Sequence, residues 1–165
     1  MQGISKSLNL LERMWSLSLD MQYSYPSSKS WRLLSGCLEA KCTNLRTLKL
    51  GFKWCKVDLR KVNNLFSSIQ QTSEYLSVLK LDLSFNELGG KGFGCLFERL
   101  STMRGLKLLN IDVTMNDIGS EGLLKASSYL PRFSKTLDSL TLKLKMNKIE
   151  DSGFCPFVRG IAKQN

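Results

Sequence analysis

The 165-residue sequence contains no histidine. The side chain that most readily changes charge near neutral pH is therefore missing. With it go histidine-based catalytic triads, histidine zinc sites and imidazole proton shuttles. Cysteine is present but poorly placed for metal. Cys37, Cys42, Cys55, Cys95 and Cys155 form no C-x-x-C pair, the spacing that zinc and dithiol chemistry use. Five thiols are an odd number and no Asn-x-Ser/Thr sequon occurs, so the expectation is a reduced, cytoplasmic chain. Proline and glycine are sparse, at 3 and 12 residues, which excludes a low-complexity linker. Apolar runs are short, so no helix of about 20 residues is expected to span a bilayer. Residues 1–13 do not read as a secretory signal, because they lack a continuous apolar stretch.

What remains is ordinary in amount. Apolar residues make up 42% and charged residues 23%, the composition of one soluble globular domain over residues 1–165. Lys and Arg total 24 against 14 Asp and Glu, a net charge of +10. The excess is spread along the chain without a run of four basic residues, as on a solvated surface.

The order is in the repeats. Leu79-Lys-Leu-Asp-Leu-Ser-Phe-Asn86, Leu109-Asn-Ile-Asp-Val-Thr-Met-Asn116 and Leu140-Thr-Leu-Lys-Leu-Lys-Met-Asn147 place their asparagines 30 and 31 residues apart. Steps of 31 backwards reach Cys55 and Ser24, each preceded by the same alternation. Five rows, beginning near residues 14, 45, 76, 106 and 137, thus share one register. With the Asn position as zero, nine columns at −10, −7, −5, −3, +2, +7, +10, +11 and +14 hold 45 residues, of which only Pro26, Ser35 and Ser127 are not apolar. A 42% background would supply about 19 of 45. From −7 to −3 the apolar residues alternate, the period of a strand with one buried face. From +7 to +14 they fall at 0, 3, 4 and 7, the stripe of a helix. Each row therefore predicts a strand, a turn at the Asn and a helix. Five rows in register predict a parallel sheet on one side, helices on the other and a continuous core between.

The motif Leu81-Asp-Leu83-Ser-Phe-Asn86-Glu-Leu88 resembles the leucine-rich repeat, with Cys55 as that family's alternative at the Asn position. Gly92, Gly122 and Gly153 at +6, expected just before each helix, resemble the ribonuclease-inhibitor class, whose repeats carry a full helix. The resemblance covers residues 14–165 and implies a short right-handed α/β solenoid, a horseshoe slice with the sheet concave and the helices convex. It departs from the family in a period longer than the usual 20–29 residues. Ser24 and Cys55 at the Asn position, and Ser30 and Lys61 at +6, predict looser turns in the first two rows. Ile4, Leu8 and Leu11 are spaced as part of a helix from a preceding half-repeat. No capping motif is recognisable, so the end rows are expected to be covered by a partner or by further repeats.

No catalytic constellation emerges. Gly89-Gly90-Lys91-Gly92 matches neither phosphate-loop spacing, and falls where this class carries glycine anyway. Asp20, Asp82 and Asp112 share column −4, where an acid/base pair or a cation site would need them, but Gly51 and Lys143 interrupt that column. Cys95 and Cys155 lie near helix starts, where a thiol pKa can fall, though idle thiols are the simpler reading.

The columns that face away from the core are more informative. Positions −6, −4 and −2 form a polar concave surface that includes Lys49, Lys53, Asp82, Asp112, Lys143 and Lys145. Position −1 reads Tyr23, Trp54, Phe85, Met115 and Met146, either an exposed apolar ridge for docking or side chains stacked on one another at the rim. The reading that follows is a non-catalytic protein-interaction module, without cofactor, metal or small-molecule substrate. Its partner is a protein with an acidic surface, since Arg46–Lys61 holds six basic residues against Asp58 alone. The alternative is a fragment or regulatory subunit of a larger leucine-rich repeat signalling protein, GTPase-activating or kinase-linked. A basic nucleic-acid binder ranks lower, because the concave surface lacks interleaved aromatics.

Overall fold

Alternating leucines at a spacing of two can bury one face only if neighbouring strands repeat the pattern in register, and they do. A computed structural model describes residues 14–41, 44–71, 74–133 and 135–162. The predicted half-repeat helix around Ile4, Leu8 and Leu11, and Cys42, lie outside the described residues. Five strands, β1 (Ser16–Asp20), β2 (Thr47–Gly51), β3 (Val78–Asp82), β4 (Leu108–Asp112) and β5 (Ser139–Lys143), form one parallel sheet in sequence order. Leu17, Leu48, Leu79, Leu109 and Leu140 stand side by side across it, as do Leu19, Leu50, Leu81, Ile111 and Leu142. The hydrogen-bond ladder continues past each strand. Phe52 N donates to Asp82 O at 2.7 Å, Leu83 N to Asp112 O at 2.8 Å and Val113 N to Lys143 O at 3.0 Å.

The helices are α1 (Ser28–Lys41), α2 (Leu59–Gln71), α3 (Gly89–Leu100), α4 (Gly119–Ser127), α5 (Leu130–Phe133) and α6 (Asp151–Ala162). Each long helix packs on the equivalent helix of the next row, and each strand on the next strand. The result is an α/β solenoid, with the sheet concave and the helices convex. Between the two layers, Phe52, Phe66, Phe93 and Phe97 are fully buried. The ring of Phe97 meets those of Phe93 at 4.7 Å, Phe133 at 5.6 Å and Phe157 at 6.4 Å, tying three rows together.

The turns are held by side chains that reach between rows. Asn86 Oδ1 accepts from the backbone N–H of Cys55 at 3.0 Å and Val57 at 2.9 Å, and its Nδ2 donates to Phe52 O at 2.8 Å. Asn147 repeats this one row later but one, accepting from Asn116 N at 2.9 Å and Ile118 N at 3.3 Å and donating to Val113 O at 2.8 Å. Asn116 sits between them, accepting from Leu88 N at 3.3 Å and donating to Leu83 O at 2.8 Å. Cys55 is a weaker substitute: its Sγ donates to Met21 O at 3.0 Å and accepts only weakly, from the backbone N–H of Ser24. The first row asks less of it, because its position +2 is Pro26, which has no N–H, and Ser24 N also donates to Met21 O at 3.2 Å.

Several expectations are corrected. The glycines at +6 do not precede the helices but lie inside their first turns, where neighbouring helices touch. A Cβ on Gly122 would stand 2.5 Å from Gly90 Cα, and one on Gly153 2.5 Å from Ser120 O. The fourth row carries two helices rather than one: Pro131 has no N–H for the carbonyl of Ser127 four residues back and crowds it, so α4 ends there, and the proline sits in the first turn of α5 where it is tolerated. In the last row the stripe is not buried. Only Phe157 reaches the core, while Phe154, Val158 and Ile161 are exposed, because no helix of a further row lies against them among the described residues. The first row is imperfect in another way, with Trp31 Nε1 and Ser35 Oγ buried and unpartnered.

A core made of shared rows should transmit damage sideways. Leu81→Ala, which removes a side chain 3% exposed, should cost about 2–5 kcal/mol by chemical denaturation. It should also speed amide exchange in β2 and β4, because each row is stabilised by its neighbours. Faster exchange confined to β3 would contradict a continuous core.

Candidate functional site

Where each strand leaves the sheet, the chain makes the same uncommon turn. Tyr23, Trp54, Phe85, Met115 and Met146 all have φ between 55 and 58°. This left-handed region costs an ordinary residue roughly 1–2 kcal/mol, and glycine or asparagine would enter it more cheaply. The conformation is imposed from both sides. In the first four rows the N–H of this residue is held by the following row, Trp54 N donating to Ser84 O at 3.2 Å and Phe85 N to Thr114 O at 2.7 Å. The next residue along is the turn Asn or its substitute. Five bulky side chains thus stand in line on the rim of the concave face.

The side chains of this column are partly stacked and partly exposed. Trp54 and Phe85 stack, with ring centroids 5.6 Å apart and planes inclined by 18°. Trp54 nevertheless stays 46% exposed, and Tyr23, Met115 and Met146 are exposed as well. Lys53 Nζ lies 4.9 Å from the ring centre of Phe85 and 5.8 Å from that of Tyr23, within reach of both π faces. Beside the ridge, a cleft of about 210 Å³ opens between Tyr25, Trp54, Lys56, Phe85, Glu87 and Met115. Tyr25 and Lys56 belong to it although column reading passed over them. Position +1 mixes aromatic, basic and acidic residues, so no periodicity marks it. Lys56 Nζ stands 5.4 Å from the centre of the Tyr25 ring.

The concave floor has a second opening, of about 290 Å³, over Gly51. A Cβ at Gly51 would come within 2.8 Å of Asp20 Oδ1, so the Asp20 carboxylate would have to shift to admit one. Lys49 and Lys80 are register partners on adjacent strands at this floor. Among the described residues neither joins an ion pair. Like charges so placed destabilise a sheet.

The acids of column −4 are committed locally. Oδ1 of Asp20, Asp82 and Asp112 accepts the backbone N–H two residues on, from Gln22, Ser84 and Thr114 at 3.2, 3.0 and 3.0 Å. Ser84, expected to face the concave surface, is instead 4% exposed and donates through Oγ to Asp82 at 2.6 Å. Asp112 also pairs with Lys143 Nζ at 3.1 Å. Burial pushes the Asp112 carboxyl up, but the hydrogen bonds from Thr114 and the Lys143 ammonium outweigh it and hold its pKa below 3.8. Lys143 is therefore engaged, and Lys145 and Met146 stand at the far end of the ridge from Trp54. The structure brings together Tyr23, Lys53, Trp54 and Phe85, with Lys49 on the neighbouring floor.

Two outcomes follow from these environments. A carboxyl whose folded pKa is depressed stabilises the fold above its unfolded value, and that contribution is lost as pH falls through the folded value. Below about pH 4 wild type should therefore lose stability more steeply than Asp112→Asn, as read by thermal melts at stepped pH; parallel acid limbs would contradict this. Cys55 is buried, which pushes its thiol up, whereas Cys37 and Cys155 are exposed. Iodoacetamide at pH 8 should alkylate Cys37 and Cys155 first and Cys55 only on unfolding, as peptide mass spectrometry would record. Equal rates at Cys37 and Cys55 would disprove the burial.

A family model described as Leucine Rich repeat matches residues 76–97 and 106–125. Those stretches contain β3 with most of α3, and β4 with most of α4. No curated protein matches the chain. The chain carries leucine-rich repeats, and its five in-register strand–turn–helix rows build a leucine-rich repeat α/β solenoid.

Proposed function

We propose that residues 1–165 act as one non-catalytic protein-binding domain of the ribonuclease-inhibitor-like class, engaging an acidic protein surface through the concave face and its rim. One observation carries this reading: bulky side chains occupy left-handed turns at the sheet exit, where Tyr23, Trp54, Met115 and Met146 remain exposed and Phe85 is half-buried. Bulky residues are held there at a cost, and exposed aromatic and Met side chains are the usual anchors of protein interfaces. Leucine-rich repeats generally mediate protein–protein contacts, and a curved solenoid offers an extended surface for them. The lack of histidine and of C-x-x-C pairs supports a non-catalytic role in a reducing cytoplasm. Lysines beside the ridge that form no ion pair among the described residues favour an acidic partner, with charge raising the association rate and the rings supplying affinity.

A second reading, in which these rows serve as a regulatory part of a larger leucine-rich repeat signalling protein, is favoured by the outer face of the last row. There Phe154, Val158 and Ile161 are exposed beside half-buried Leu140 and Leu142. Further repeats or a partner would cover them.

The test is capture from native lysate with wild type and Trp54→Ala in parallel, followed by mass spectrometry. At least one abundant partner should be lost with the variant. Its purified complex should weaken by about 2 kcal/mol or more while the melting temperature barely moves. A sharp fall in melting temperature with binding retained would reduce the ridge to rim packing.

A further inference from the structure

Three features of the first three rows stand close together and remain unexplained by the fold. Lys49 and Lys80 face the concave floor as register partners, and among the described residues neither forms an ion pair. Gly51 leaves the floor between them and the acids open, so that a backbone can approach the sheet closely. The cleft beside Trp54 and Phe85 holds about 210 Å³, below the roughly 300–1,000 Å³ of pockets that take small-molecule ligands. It is the size for one side chain.

We propose that this region binds an extended, acidic peptide segment of a protein partner, whose carboxylate bridges Lys49 and Lys80 while one bulky apolar side chain fills the cleft formed by Tyr25, Trp54, Phe85 and Met115. The proposal rests on the protein-binding reading above and adds the chemistry of the bound segment. A bridging carboxylate removes the repulsion between the two ammonium groups, which the isolated domain leaves uncompensated. The two contact points lie at positions −6 and −1 of a row. At about 3.3 Å per residue they are roughly 16 Å apart, which an extended peptide covers in about five residues. The segment should therefore carry an acid and an aromatic or large aliphatic residue about four to six positions apart.

Nucleic acid fits less well. The facing rings of Trp54 and Phe85 are stacked on each other and leave no slot for a base between them.

The experiment is selection from a display library of random 12-residue peptides on the wild-type domain, followed by affinity measurements with the enriched synthetic peptides. Enriched peptides should share the acid and apolar anchor at that spacing. Trp54→Ala and the double variant Lys49→Gln/Lys80→Gln should each weaken them at least tenfold. The lysine variant removes a repulsion, so its melting temperature should hold or rise, which separates lost binding from lost folding. Substituting the peptide's acid by its amide should cost wild type the same factor and the lysine variant nothing. Enriched peptides without an acid, or binding that ignores the lysine variant, would overturn the proposal, as would the absence of any enrichment. Tighter binding of a dT12 oligonucleotide that displaces the peptides, with steep salt dependence, would also overturn it. If lysate partners still depend on Trp54 while the selected peptides lack acids, the acidic segment falls and the protein-binding reading stands. If no lysate partner depends on Trp54, that reading falls first.

Discussion

The side-chain amide of an asparagine, buried between two rows, is the interaction on which this structure depends. A parallel strand can be followed by a helix on its convex side only if the chain turns sharply, and a sharp turn leaves backbone groups pointing into the core. Asn86, Asn116 and Asn147 satisfy those groups in their own row and in the row before it. The rows are thereby fixed to one another at the turn as firmly as at the strands. An unpaired buried amide would cost about 1–3 kcal/mol, and each asparagine prevents more than one. Where Cys55 replaces asparagine and accepts only weakly, Pro26 in the adjoining row has no hydrogen to offer. The two lie 29 residues apart, the offset at which Asn86 reaches Val57 N one row later.

The same turn determines what the domain presents. Locking position zero inside the core forces position −1 into the left-handed region, and the residue there projects from the rim whatever its type. The chain fills the place with Tyr, Trp, Phe and Met. Neighbouring rows then bring Trp54 against Phe85 and draw Lys53 over the rings. Electrostatics are divided along the solenoid. Towards the last rows Lys143 pairs with Asp112 and Lys148 with Asp117. In the second and third rows Lys49 and Lys80 face the floor without an ion pair among the described residues. The exposed aromatic rings and the uncompensated charge therefore fall on the same rows, which is what gives the protein-binding reading a location.

Much of this was legible in the amino-acid pattern, for a physical reason. A period of two and a period of 3.6 report which face of an element is buried, and a shared 30–31-residue repeat reports which elements are neighbours. The strand columns at −7 and −5 accordingly appear as register partners throughout. What depended on the next row was hidden. Phe154, Val158 and Ile161 carry the same stripe as Phe93, Phe97 and Leu100, yet they are exposed, because burial of a helix face depends on whether another helix lies against it. The left-handed φ of Trp54 and Phe85 was hidden as well, since bulky residues disfavour it and periodicity carries no information on backbone sign. Ser84 and Asp82 looked outward-facing, but the side-chain bond that closes their turn buries the serine. Tyr25 and Lys56 lie in a column of mixed character, and only their three-dimensional neighbours reveal them as part of the cleft.

The central claim is that the asparagine ladder sets the geometry of the ridge, and Asn86 is where the two meet. Nuclear Overhauser contacts between the Trp54 and Phe85 rings, followed in wild type and in Asn86→Ala, test it directly. The account predicts that the variant keeps the contacts of the distant β4–β5 pair but loses those between the two rings, because Cys55 N and Val57 N no longer have an acceptor and the turn carrying Trp54 is released. Ring contacts that persist unchanged in a variant of undiminished stability would contradict it.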